Sequence, residues 1–247
     1  QSDGTEAATA ADSYNVGLKS AAVVNAFVTA PATKSSIDDI ILETGLSSYE
    51  NAQAMYNAIM GAADNLCVTA SVDETSATLS ADFDGACYLE RYGISLSGQV
   101  EASVVAEAGT VTVEFVFTEL SVDGLPAVSG NITLLWSGVG NYTLDMDLST
   151  DAISLTVAGT LLFDQSVFYL DGTASYTKNV VTYDLTVEDL TWLVTDCYPS
   201  DGVITLEDGI REKSITFDEN TPETGEVTLR IGLRDETVTL PAYGTCP

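Results

Sequence analysis

Residues 129–150 read SGNITLLWSGVGNYTLDMDLST, and this stretch decides the fold. Apolar and polar residues alternate on both sides of a Gly-rich middle, so Leu134 and Trp136 share one face. After the middle, Asp145 and Asp147 lie on the face opposite to the apolar residues. This alternation is typical of strands with one buried and one solvated face. The stretch therefore predicts a β-hairpin whose acidic residues line the solvent side.

The same alternation extends over residues 67–240, and residues typical of turns separate its runs. Because the connections are short, neighbouring strands are expected to be antiparallel. The pattern predicts a mainly β fold, an antiparallel sandwich or a curved β-meander of about 10–13 strands. The predicted strands are 67–72, 76–83, 92–106, 110–122, 127–137, 141–149, 152–163, 166–173, 180–188, 203–207, 211–217, 226–232 and 237–240. The predicted turns are Asp84-Gly85, Ala108-Gly109, Asp123-Gly124, residues 138–141, Asp151, Asp208-Gly209 and Asp235-Glu236.

Four glycines lie inside the predicted strands rather than between them: Gly98, Gly130, Gly159 and Gly172. Glycine within a strand often marks a bulge or a bend of a curved sheet. Chance is the alternative interpretation, because the chain contains 19 Gly.

Residues 36–66 depart from this alternation and predict a small helical part. Ser36 is a candidate N-cap of a first helix, which Gly45 ends. Ser47 or Ser48 is the candidate N-cap of a second helix with an Ala-rich, Met-containing sequence.

Four regions follow from these patterns. Residues 1–35 are expected to form an N-terminal extension and residues 36–66 the helical segment. We expect a long-stranded β-meander domain at 67–196. A C-terminal β-hairpin region at 197–247 is expected to pack on the same domain.

The chain is strongly acidic, with 37 Asp and Glu against 8 Lys and Arg and a formal net charge of −29. Nucleic acid and anionic lipid surfaces are therefore not expected partners, because both require basic residues. Salt or divalent cations would weaken the self-repulsion. No apolar run approaches the roughly 20 residues of a membrane-spanning helix, so no membrane span is expected, while lipid anchoring of a precursor stays open.

The cysteines, Cys67, Cys87, Cys197 and Cys246, are even in number and widely spaced. The numbering starts at Gln1, which fits a mature chain whose leader has been removed. Together these features predict two disulfides in an extracellular or cell-surface protein. Of the roughly three possible pairings, the local one, Cys67–Cys87 with Cys197–Cys246, is preferred, and free buried thiols are the alternative.

The absence of histidine removes Ser-His and Cys-His catalysis and His-ligated zinc. Ser175 and Lys178 have the S-x-x-K spacing, but they lie in an alternating stretch, whereas the catalytic version requires a helix. We therefore predict a protein that is not an enzyme, with no catalytic residue and no resident cofactor. An acid-pair glycan hydrolase is a distant third hypothesis, because among 37 acids some pair will stand at any required separation.

Two short acidic motifs are weak candidate Ca²⁺ sites. Asp82 and Asp84 are two residues apart at a predicted turn, and Asp145 and Asp147 share one face of a strand. Calcium prefers about six to eight oxygen ligands, and neither motif is a complete calcium loop. Ordinary solvated carboxylates are the preferred interpretation.

Two N-x-T sequons, at Asn131 and Asn141, are candidate glycosylation sites. In a Thr-rich chain, chance matches are the preferred interpretation.

These observations predict a secreted structural protein that self-associates, as the subunit of an extracellular filament or matrix. Long strands leave edge backbone groups unpaired, and a β-capable N-terminal segment could add to a neighbour's sheet as a donor strand. The residues that favour a strand there are Val23, Val24, Ala26 and Val28. The alternative function is an extracytoplasmic carrier of apolar ligands, which would use the concave side of a curved sheet as a half-barrel.

Overall fold

The computed structural model describes residues 42–62, 67–89, 94–122, 126–138, 142–151, 153–164, 167–178, 180–193, 196, 198–207 and 212–240. The helices are α1 (Ser48–Ala62) and the single turn α2 (Thr221–Thr224). The strands are β1 (Val68–Asp73), β2 (Thr78–Leu89), β3 (Ile94–Glu107), β4 (Thr110–Val122), β5 (Val128–Trp136), β6 (Tyr142–Ser149), β7 (Ile153–Asp164), β8 (Val167–Lys178), β9 (Val181–Leu193), β10 (Asp201–Glu207), β11 (Glu212–Phe217), β12 (Glu226–Ile231) and β13 (Arg234–Thr239).

All 13 of these strands form one antiparallel sheet, and each pairs with its neighbours in sequence from β1 to β13. The prediction of a mainly antiparallel β fold with a small helical part is therefore confirmed, and of the two predicted forms the strand order is that of a meander in one sheet. The region from residue 197 onward contributes β10–β13 to that sheet.

Two predicted turns are wrong. Asp84-Gly85 lies inside β2, where the register with β3 shifts between Phe83 and Cys87, so the chain bulges instead of reversing. The last hairpin reverses at Gly232 rather than at Asp235-Glu236, because glycine readily adopts the positive φ of 60° that this turn needs. By contrast, Ala108-Gly109 forms the predicted turn, since Glu107 pairs with Thr110.

Helix α1 begins with the predicted serine cap. The backbone N–H of Glu50 donates to Ser47 Oγ (3.3 Å), while the Glu50 carboxylate accepts from the Ser47 backbone N–H (2.9 Å). This reciprocal pair is a capping box. The prediction that a first helix runs up to Gly45 is wrong at its end, because Thr44 and Gly45 form a turn. The buried Asn51 side chain holds this turn, since its Nδ2 donates to the carbonyls of Glu43 and Ser47. Residues 36–41, the start of the other predicted helix, lie outside the described residues.

One face of the sheet is buried and the other is solvated. Strand β6 shows the alternation residue by residue: Tyr142, Leu144, Met146 and Leu148 are buried, and the residues between them are exposed. The buried faces of the strands and the apolar side of α1 form one hydrophobic core. Helix α1 packs on β1, β2 and β3.

The sheet must cover much of its own buried face. A helix of 15 residues is about 22 Å long. The 13 strands, roughly 4.8 Å apart, would span about 58 Å if the sheet were flat. Among the described elements, α1 is therefore too short to bury the apolar face alone, and we attribute the rest of that burial to curvature of the sheet.

The four in-strand glycines lie where neighbouring backbones approach closely. A Cβ atom at Gly98 would collide with the carbonyl oxygen of Glu119 on β4, and one at Gly130 with that of Asp147 on β6. Gly159 and Gly172 face each other across β7 and β8. Glycine permits these approaches because it has no side chain to displace the neighbouring strand.

Candidate functional site

The sheet edge formed by β13 is the first candidate functional site. Strand β13 pairs with β12 along its whole length, and no described strand pairs with its other side. Apart from the half-buried Val238, its residues are exposed. An edge of this kind presents backbone donors and acceptors that a further strand could bind.

The register identifies the backbone groups that face outward. Leu240 N–H donates to the Gly225 carbonyl oxygen (2.8 Å), next to the Glu226–Thr239 pair. Because hydrogen-bonded pairs alternate along an antiparallel ladder, Val238 N–H also points toward β12. The N–H groups of Asp235, Thr237 and Thr239 then point away from β12, toward the open side.

Charges on β13 restrict which strand can bind there. Glu236 pairs with Leu229, which is buried, so its carboxylate belongs to the core-facing row of the strand while remaining exposed. A charge placed in that row opposes unspecific strand addition. Arg230 Nε and Asp235 Oδ1 form an ion pair at 3.8 Å, and both side chains are more than half exposed, so it contributes little stability.

The solvated face of the sheet carries two grooves, each with a volume of about 410 Å³. The first lies across β6–β9 and the second across β1–β4. Hydroxyl and carboxylate side chains dominate their outer-face linings: Asp145, Thr156, Thr173, Ser175, Asp184 and Thr186 in the first, and Thr69, Ser71, Ser80, Asp82, Gln99 and Glu101 in the second. The sequence analysis missed both grooves because small residues on a polar face give no chemical signal.

The candidate calcium ligands are not brought together. Asp82 and Asp84 are exposed on β2, whereas Asp145 and Asp147 are exposed on β6, four strands away in the sheet. That separation is roughly 19 Å at the usual strand spacing. Within the described residues, no group of three or more His, Cys, Asp or Glu side chains could hold a metal ion. Calcium binding stays a prediction.

Local hydrogen bonds occupy some of these acids. The Asp82 carboxylate accepts from Gln99 Nε2 (3.0 Å), and the Asp84 backbone N–H donates to the Cys67 carbonyl oxygen (2.9 Å). In the turn between β1 and β2, hydrogen bonds from Ser76 and Thr75 lower the pKa of Asp73. These contacts organise turns and strand pairs, which is a structural role.

Cys67 and Cys87 form the predicted local disulfide, which joins the start of β1 to β2. Cys197 and Cys246 lie outside the described residues, so their pairing stays a prediction. Asn131, in the first sequon, lies half-buried on β5 and donates to Glu114 Oε1 at 3.4 Å, while Asn141 lies outside the described residues.

Ser175 and Lys178 are both on β8, as the alternation indicates. Because the backbone there is a strand, this pair does not have the helical arrangement of the S-x-x-K enzymes.

Trp136 and Tyr142 belong to the core. The rings of Trp136 and Tyr142 lie 4.9 Å apart between centroids, and burial raises the pKa of Tyr142. Stacking of this kind favours a packed interior. Among the described residues, neither helix combines the length and the apolar composition needed to cross a bilayer.

The predicted donor residues Val23, Val24, Ala26 and Val28 lie outside the described residues. Comparison with protein-family models, with curated proteins and with solved structures found no match to this chain.

Proposed function

We propose that the protein is a secreted structural subunit that self-associates by strand addition at the edge of its sheet, forming an extracellular filament or matrix. The observation that carries the proposal is β13, whose outward backbone groups meet no other described strand. Strand addition satisfies such groups with new main-chain hydrogen bonds.

The packed core supports a structural role over the carrier of apolar ligands. Large side chains from separate strands, among them Phe115, Tyr142 and Trp192, are buried on the core face of the sheet. A carrier needs room for its ligand on that face. Native mass spectrometry separates the two functions, because a carrier purified from its source would retain a bound ligand above the mass of its 26.0 kDa chain.

The proposed donor is the N-terminal segment at residues 23–30 of a neighbouring copy. Its sequence is mostly apolar, and Lys19 and Lys34, two of the 8 basic residues in the chain, flank it. A lysine beside the donor would offset Glu236 at the β13 edge, whereas Asp235 already pairs with Arg230. Addition of one copy's donor to the next copy's edge is head-to-tail, and such contacts generate fibres when they do not close into a ring.

Charge makes the proposed assembly sensitive to salt. With a net charge of −29, two copies repel each other at low ionic strength. Salt reduces the screening length to about 8 Å near physiological ionic strength, which permits close approach of acidic surfaces. We therefore expect assembly in saline buffer and dissociation in dilute buffer. The disulfide suits an oxidising compartment, which supports an extracellular location.

A proline at Thr237 tests the proposal. Thr237→Pro removes an N–H that points to the open side and leaves the hydrogen bonds to β12 intact, while Thr237→Val keeps the N–H. Assembly is measured by light scattering and electron microscopy at about 10 mM and about 500 mM salt, where charges are weakly and strongly screened, respectively. The wild type and Thr237→Val should assemble at the higher salt concentration. Thr237→Pro should remain monomeric with an unchanged circular dichroism spectrum.

Deletion of residues 1–30 tests the donor separately from the acceptor edge. The deleted protein should not assemble alone, but it should accept the missing segment from a peptide that spans residues 19–34. A wild type that stays monomeric at high salt, with and without added Ca²⁺, would contradict the proposed function.

A further inference from the structure

Two irregular sites in the sheet have the same backbone conformation. Glu119 in β4 and Asp189 in β9 each have a φ of 51°, in the left-handed region that residues with a side chain rarely adopt. Both side chains are exposed. Neither residue lies in a turn, since each is inside a strand of 13 residues.

A glycine faces each of these residues from a neighbouring strand. Gly98 in β3 has a φ of 106° and Gly202 in β10 a φ of 107°. At both places the glycine opposes two residues of the neighbouring strand instead of one, which is the arrangement of a β-bulge. A Cβ atom at Gly98 would collide with Glu119, and one at Gly202 would lie 2.8 Å from the Asp189 carbonyl oxygen.

On the side away from the glycine, the backbone N–H of each left-handed residue donates to a side chain of the other neighbouring strand. Glu119 N–H donates to Ser129 Oγ on β5 (3.1 Å), and Asp189 N–H donates to Asp171 Oδ1 on β8 (2.7 Å). The ladder register shifts at both acceptors as well. Each site therefore consists of a left-handed residue, a facing glycine and a side-chain acceptor.

The correspondence defines a local symmetry. Strands β3, β4 and β5 match β10, β9 and β8, so the strand order is reversed. In an antiparallel meander, this reversal corresponds to a two-fold axis perpendicular to the sheet between β6 and β7. Gly130 in β5 abuts Asp147 of β6, and its counterpart Gly172 in β8 abuts Ala158 of β7.

The register locates the axis. If Asp147 matches Ala158, the axis relates each residue of β6 to the residue 11 positions later in β7. Met146 and Val157 are also 11 positions apart, and they pair directly with each other in the sheet. The axis therefore passes through that pair. Two further residues support the match, because Phe83 pairs with Gly98 and Phe217 pairs with Gly202.

We infer that these two sites are equivalent, one in each half of the meander, and that they fix the bends by which a single sheet encloses its own core. We call each site a latch: a left-handed residue, its facing glycine and its side-chain acceptor. A bulge increases the local twist and bends the strand that carries it. The facing glycine lets the neighbouring backbone approach, and the hydrogen bond that the left-handed residue donates to Ser129 or Asp171 holds it in place. The inference concerns the fold and does not depend on the proposed function.

Glycine substitutions at matched acids test the left-handed conformation. Glu119→Gly and Asp189→Gly remove backbone strain, so the melting temperature should stay unchanged or rise by roughly 2–4 °C. Glu114→Gly and Asp184→Gly are the controls, because these exposed acids lie on the same two strands and φ is not positive there. Each control should lower the melting temperature by roughly 2–4 °C.

Alanine at the facing glycines tests the close approach. Gly98→Ala and Gly202→Ala should each lower the melting temperature by roughly 5 °C or more. Gly109→Ala and Gly45→Ala are the controls. Gly109 has a positive φ of 84° but open space around its Cα, and Gly45 has neither a positive φ nor a close neighbour. The expected order of losses is Gly98 and Gly202 first, then Gly109, with Gly45 nearly neutral.

Hydrogen exchange tests the latch hydrogen bonds individually. Ser129→Ala should raise the exchange rate of the Glu119 amide by about tenfold or more and leave Asp189 unchanged, and Asp171→Ala should do the reverse. The inference would be overturned if Glu119→Gly and Glu114→Gly lowered the melting temperature equally. It would also be overturned if Ser129→Ala and Asp171→Ala left the amide exchange rates of Glu119 and Asp189 unchanged.

Discussion

The two ends of the sheet differ in how they are covered. At the β1 end, α1 packs against β1–β3, the Cys67–Cys87 disulfide joins the first two strands, and alternate residues of β1 are buried or half-buried. At the β13 end, no described helix packs on the last strand and nearly all its residues are exposed. Both strands have six residues, so length does not explain the contrast.

The contrast indicates a division of roles within one sheet. An end of the sheet that carries a packed helix and a disulfide resists opening. A bare edge with outward N–H groups and a guarding charge can accept a strand of complementary sequence. We therefore expect stability to concentrate at the first end and association at the second.

Truncation of an apolar side chain at each end should give the largest difference in the free energy of unfolding. Leu79 on β2 is fully buried between Val72 and Ala102, so Leu79→Ala should lower the free energy of unfolding by about 2–5 kcal/mol. Val238→Ala on β13 should lower it by less than about 1 kcal/mol, because Val238 is only half-buried. Urea unfolding of both variants measures the two values, and similar losses would show that the β13 end is packed as firmly as the other.

Removal of the disulfide should have the next largest effect. The bond closes a separation of 20 residues, and its loss in a Cys67→Ala, Cys87→Ala double variant should lower the free energy of unfolding by about 3 kcal/mol. Hydrogen exchange should accelerate in β1 and β2 and remain unchanged in β12 and β13. Faster exchange at both ends would mean that the sheet opens as one cooperative unit rather than from its ends.

The smallest expected effect is a pH dependence at the β1 end. Backbone and side-chain hydrogen bonds from Ser47 lower the pKa of Glu50, and those from Ser76 and Thr75 lower the pKa of Asp73. A depressed folded-state pKa stabilises the fold above the unfolded pKa, and this contribution is lost as pH falls through the folded value. The stabilisation should be present at neutral pH and disappear below the ordinary values of 4.5 for Glu50 and 3.8 for Asp73.

Isosteric variants isolate that effect from the general titration of an acidic chain. The melting temperatures of Glu50→Gln and Asp73→Asn should lie below that of the wild type at neutral pH and approach it in acid. A difference that persists unchanged in acid would assign the effect to geometry rather than to charge.

Much of the fold could be predicted because the alternation of residues is a local property. The strand at residues 110–122 was predicted with the bounds of β4, and the Ser47 cap follows from local chemistry. The bulge at Asp84-Gly85 could not be predicted, since the same dipeptide commonly forms turns. Only the pairing of β2 with β3 on both sides of it shows that the strand continues.

The candidate site was less predictable than the fold. The outward N–H of Thr237 depends on the register with β12, and the polar groove beside Asp145 depends on small residues of β7–β9 that are distant in sequence. The two aspartate pairs that were predicted as separate weak calcium sites lie four strands apart, so neither pair can add ligands to the other. Proximity along a strand does not bring ligands from separate strands around one ion.

By itself, the sequence determined the fold class, the position of nearly every strand, the capped helix and the acidic solvated face. These features depend on neighbours within a few residues, where side-chain alternation and turn chemistry act. The tertiary structure alone decided that the strands form one sheet, which described strands stand at its edges, and where Glu119 and Asp189 interrupt the strand register. The local two-fold axis reverses strand order, so it leaves no tandem repeat in the sequence and becomes visible only when the strands are paired.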